Sequence, residues 1–86
     1  MLQKRSQVTI TIDILEAVLK PQKKIRIMYL ANLNYLRFNR YLHDFLSKGF
    51  IEAVTDDEGK GCYRITPRGK ALLVLLRKVN DLGYSI

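Results

Sequence analysis

Apolar residues recur along this chain in stretches of helical spacing, broken by short polar or turn-forming segments. In the first stretch Val8, Ile12, Leu15, Ala17, Val18 and Leu19 fall near one another on a helix. Residues 9–12 also alternate as a strand would, but the length of the run and the DILEAVL that follows predict a helix from Val8 to Leu19. Pro21 cannot continue it, because its ring blocks the preceding turn, so KPQKK reads as a connection. From Lys24 to Ala31 the pattern sets Ile25, Met28 and Tyr29 on one face of a second, two-turn helix. Asn34 can cap a third, and Phe38, Leu42, Phe45 and Leu46 then recur at spacings of three and four until Gly49, a residue suited to the left-handed end of a helix.

Beyond Gly49 the period changes. Phe50 to Thr55 reads as a strand, DDEGKG as a tight turn and Cys62 to Ile65 as the returning strand, which together make a β-hairpin. Thr66 with Pro67 behind it opens a last helix, which is apolar around more than one face and ends at Gly83. The order helix, helix, short turn, helix, hairpin, helix is that of a winged helix-turn-helix: an α+β fold, mainly α, of three helices, a β-hairpin wing and a C-terminal helix. In such a fold residues 1–66 are expected to be the DNA-binding part, and residues 67–86 a C-terminal helix of the same single domain, expected to serve dimerisation.

Composition narrows the partner. Fifteen Lys and Arg stand against eight Asp and Glu, a net charge of +7 that favours a polyanion, nucleic acid first. The excess is uneven, since residues 49–66 hold four acids and two bases. A lone cysteine, Cys62, excludes an internal disulfide and a multi-cysteine zinc site within one chain, which suits a reducing cytoplasm. No apolar run approaches the roughly 20 residues that span a bilayer, and no signal peptide is visible, so a cytoplasmic, nucleoid-associated protein is expected. His43 and Cys62 lie on different elements with no orienting acid, so no catalysis, cofactor, metal or small-molecule ligand is expected.

The run KIRIMYLANLNYLRFNRYL at 24–42, followed by LSKGFIE at 46–52 and YRITPRGK at 63–70, resembles the archaeal winged-helix DNA-binding proteins, a family that includes a ten-kilodalton dimeric chromatin protein. KGFIE and TPRGK recur in many winged helices, whereas RIMY, ANLNY and RYL in succession are more specific. The resemblance covers about residues 8–76. It implies DNA as partner and a dimer built on an antiparallel pairing of C-terminal helices. Two departures stand out. About 20 residues follow Pro67, room for only about four turns, and the wing tip Asp56, Asp57, Glu58 is acidic where phosphate would pass.

Within this architecture helix 34–48 is the element for the major groove, and its outward face is Tyr35, Leu36, Arg37, Asn39, Arg40 and His43. Arginine can pair in bidentate fashion with guanine, and asparagine with adenine, so Asn34, Tyr35, Arg37, Asn39 and Arg40 are the candidates for reading bases. Lys23, Lys24 and Arg26, opening the preceding helix, are placed to meet phosphate. Lys60 and Arg64 flank the wing. Lys4 and Arg5, in the basic lead, either reach along the DNA or stand apart as a tail. Tyr29 and Tyr41 are assigned to core edges rather than to base stacking. In the last helix Leu72, Leu73, Leu75, Leu76, Val79 and Leu82 exceed what one packing face requires and are the candidate homodimer seam. The expected function is double-stranded DNA binding by a transcriptional regulator. The alternatives are an abundant chromatin protein of low sequence preference and an interaction module that no longer binds DNA.

Overall fold

Ser6 starts the first helix: its hydroxyl accepts a hydrogen bond from the Thr9 amide at 3.1 Å, satisfying one of the donors a helix start leaves unpaired. This computed structural model describes residues 5–83. Six elements follow in order: α1 (Gln7–Ala17), α2 (Lys24–Leu30), α3 (Tyr35–Ser47), β1 (Ile51–Thr55), β2 (Gly61–Ile65) and α4 (Pro67–Asp81). The predicted winged-helix architecture is the observed one.

α1 is buried on more than one side. Val8, Ile10, Ile12, Ile14 and Leu15 are all in the core, because α2 and α4 both pack against this helix. The strand-like alternation at residues 8–14 is therefore a consequence of two-sided burial. The helix stops at Ala17, earlier than predicted, and Leu19 is left 45% exposed.

In α2 the predicted face is corrected in part: Met28 packs against the core as expected, but its two companions do not. Ile27 and, just beyond the helix, Ala31 are fully buried, whereas Ile25 and Tyr29 are each 72% exposed. Two turns of helix admit either stripe, and the chain around them chooses. Gln22 is pinned to Tyr63 by a pair of backbone hydrogen bonds (3.0 and 2.8 Å), and Leu33 is drawn into the core behind the helix. Asn32 takes the turn into α3 with φ of 52°, a left-handed conformation that asparagine tolerates better than most residues.

α3 buries Phe38, Leu42 and Phe45, with Leu46 packed at the core edge. Gly49 closes it at φ 77°. β1 and β2 pair antiparallel, with Ile51 opposite Ile65 and Val54 opposite Cys62. Asp56 builds the wing turn: its Oδ1 accepts from the amides of Glu58 (2.9 Å) and Lys60 (2.8 Å). One of the three tip acids is thus a turn-former.

The Thr66 hydroxyl caps α4 by accepting from Gly69 N at 2.9 Å, and donates to the Gly49 carbonyl at 2.6 Å. Leu73 enters the core, Leu72 and Leu76 pack against it, and Arg77 ties α4 to Glu16 of α1. Among the described residues no helix is long and apolar enough to cross a membrane.

Candidate nucleic-acid interface

Asn34 precedes α3, and its Oδ1 accepts the Arg37 amide at 2.9 Å. This cap uses one of the two lone pairs on the oxygen that a bidentate contact with adenine would need, and it turns that oxygen toward the helix start. Asn39, further along α3 and half-buried, makes no such cap. Tyr35, Leu36, Arg37, Arg40 and His43 are exposed, as their predicted outward face requires. Arg37 and Arg40 border one shallow groove with Gln7, Tyr41 and Asp44, and Arg40 borders a second with Leu36, Asn39 and His43.

The start of α2 adjoins this surface. The Lys24 ammonium lies 5.3 Å from the centre of the Tyr35 ring, within range of a cation–π attraction that links the starts of α2 and α3. Arg26 lies similarly over Tyr29, at 5.7 Å, which gives that exposed ring a neighbour other than the core edge predicted for it. Tyr41 does sit at the core edge, against Phe45.

Ion pairing divides the basic residues into two groups. Among the described residues Arg5, Lys48, Lys60, Arg64 and Arg77 each lie within 4 Å of a carboxylate. Lys20, Lys23, Lys24, Arg26, Arg37, Arg40, Arg68, Lys70 and Lys78 do not. The wing's two bases fall in the first group: Arg64 grips Glu52 through Nε (3.2 Å) and a terminal nitrogen (2.9 Å), and Lys60 lies 3.6 Å from Glu58. Five of the nine in the second group stand at the start of α2 and on α3, three on α4 and one, Lys20, between α1 and α2; none is on the hairpin.

A short basic helix joined by a four-residue turn to an amphipathic one, with a hairpin behind and a capped last helix, is the arrangement of the winged helix-turn-helix family, whose profile matches residues 4–83. The chain belongs to the winged helix-turn-helix family. An uncharacterized protein of Methanocaldococcus jannaschii is 40% identical to this winged helix over 82 residues, 94% of this chain but 36% of the relative's length. A second uncharacterized protein of that archaeon is 36% identical over 83 residues, 95% of this chain and 80% of its own. The winged helix thus spans little more than a third of the first relative and most of the second. Among solved structures, Sso10a-2, a DNA-binding protein from Sulfolobus solfataricus, superposes with a TM-score of 0.80 at 26% identity, over 91% of this chain and 81% of that one. The likeness to archaeal winged-helix proteins read from residues 24–70 agrees with these matches.

Some of this winged helix's surface was not legible in its sequence. Arg5, expected to reach DNA or stand apart, instead pairs with Asp13 at 2.9 Å and donates to the Asn32 carbonyl at 2.8 Å, bracing the turn between α2 and α3. Lys4 lies outside the described residues. The six candidates for the dimer seam separate by burial. Leu73 is 2% exposed and belongs to the chain's own core, against which Leu72 and Leu76 also pack, while Leu75 and Leu82 are 59% and 74% exposed. Val79 is intermediate, and Val74, not among the candidates, is half exposed.

Proposed function

We propose that this protein binds double-stranded DNA as a transcriptional regulator, with α3 in the major groove. The observation that carries the reading is the set of five cations on α2 and α3 without a carboxylate partner. A cation already neutralised must leave its acid to meet phosphate, whereas an unpaired one only releases counterions. Lys23, Lys24 and Arg26 set the register on phosphate, and Arg37, Asn39 and Arg40 face the base edges. Tyr35 and the Asn34 amide stand at the margin of that contact. Lys60 and Arg64, held by Glu58 and Glu52, contribute little. The setting is the cytoplasm, on the nucleoid, and no catalytic step belongs to the proposal.

Titration of binding to a mixed-sequence duplex against salt tests it. Three phosphate contacts from α2 predict a log–log slope of about −3 per domain, and all five cations about −4.5. Replacing both Lys60 and Arg64 by alanine is expected to leave that slope nearly unchanged. A slope near zero for the wild type would remove DNA as the partner.

The protein acts as a homodimer in this reading. Leu75, Val79 and Leu82 recur at i, i+4 and i+7 along the outer side of α4, the spacing of a helix-pairing seam, and the outward exposure of Leu75 and Leu82 supports it. Light scattering at micromolar concentration should give twice the chain mass of 10.0 kDa. A mass of one chain would eliminate the dimer while leaving the DNA surface in place.

A further inference from the structure

Leu36 has no role in the fold. It is 70% exposed, on a helix whose own packing is completed by Phe38, Leu42, Phe45 and Leu46. A single exposed leucine needs no explanation by itself, but the surroundings of this one are specific. Leu36 is the second residue of α3, in the first turn, the part of a recognition helix that meets base edges. It lines the same shallow concavity as Asn39, Arg40 and His43. Asp44 and Ser47 complete the lining, so Leu36 is the one aliphatic side chain among polar ones there.

The major groove offers one apolar feature to such a side chain: the methyl group at C5 of a pyrimidine. We infer that Leu36 is a specificity-determining residue that packs on a pyrimidine C5-methyl next to the base pair contacted by Arg40. Residues four apart on a helix have Cβ atoms about 5–6 Å apart, and base pairs are stacked about 3.4 Å apart. Leu36 and Arg40 therefore address base pairs one or two steps apart, Arg40 through hydrogen bonds to guanine and Leu36 through contact alone. The inference rests on the proposed placement of α3 in the major groove and adds to it the identity of a second base.

The experiment uses the full chain and duplexes that it recovers from a random-sequence pool. Each thymine of the preferred duplex is replaced singly by uracil, which removes the methyl and nothing else, and affinity is followed by fluorescence anisotropy. For the wild type, one replacement near the Arg40 contact should weaken binding about fourfold, the effect of returning one methyl to water. The Leu36→Ala variant should bind the thymine and uracil duplexes equally. Leu36 is largely exposed, so this variant should fold, which an unchanged melting curve verifies. Placing 5-methylcytosine with guanine at the same position separates two sources of the methyl: recovered affinity relative to cytosine makes the methyl readable in either base, and no recovery confines the reading to thymine. If no uracil replacement matters to the wild type, or if Leu36→Ala still discriminates, the inference is overturned while salt-dependent DNA binding stands. If the wild type binds no duplex, the DNA-binding proposal falls and takes the inference with it.

Discussion

Replacing Arg37 and Arg40 together by alanine is expected to cut affinity for the preferred duplex by one to four orders of magnitude and to flatten base preference at two positions. Each well-formed arginine–guanine pair discriminates by about 1–3 kcal/mol, roughly 5- to 160-fold for the one residue. The structure favours a large effect because neither guanidinium is held by an acid among the described residues: Asp44, which borders the same groove, is engaged by Lys48 at 3.0 Å. Both side chains are exposed on α3, so the substitutions should not disturb the core. Binding to mixed-sequence duplex should fall much less, since Lys23, Lys24 and Arg26 remain. Competition assays with preferred and scrambled duplexes check this. An equal loss on every sequence would count against a regulator that reads bases and in favour of a general chromatin protein held by charge.

The second large effect concerns stability. Gly69→Ala is expected to destabilise the domain by about 3 kcal/mol or more, at the upper end of what overpacking produces. Gly69 lies in the first turn of α4, where alanine would ordinarily be the better helix former by about 1 kcal/mol. Here an added Cβ would collide with the Phe50 carbonyl and lie 2.7 Å from Cγ1 of Ile65. Backbone on one side and a buried strand residue on the other leave no flexible group to yield. A domain of this size has about 4–13 kcal/mol in all, so the loss is a large share. Gly61→Ala is the control: a Cβ there meets nothing within 4 Å, and its effect should stay within about 0.5 kcal/mol. Urea denaturation of the three proteins checks the pair; near-equal midpoints for the two variants would disprove the packing argument.

The same two sites show how legibility varied along the chain. The amphipathic face of α3 was readable because Phe38, Leu42 and Phe45 repeat within a helix of more than three turns, long enough for one orientation to win, and that orientation turned Arg37 and Arg40 outward. The caps at Asn34 and Thr66 and the stop at Gly49 were readable because capping is local chemistry between a side chain and amides three residues away. Gly69 carried no such mark, since its need for a missing Cβ comes from Phe50 and Ile65, which reach it only through the fold.

Local pattern thus specified the order of elements, their ends and the excess of positive charge. Contacts between segments distant in the chain settled the rest. Two turns of α2 allowed two apolar stripes, and the anchoring of Gln22 to Tyr63 and the burial of Leu33 selected Ile27 over Ile25 and Tyr29. The strand-like alternation in α1 arose because helices lie on both of its sides. The split of the α4 leucines into core and surface depended on where α1 lies. Composition counted fifteen bases, but only spatial pairing showed that Arg5 and the wing's Lys60 and Arg64 are neutralised by acids. The physical reason is range: capping and helical periodicity act over three or four residues, whereas burial and ion pairing depend on which distant segments folding brings together.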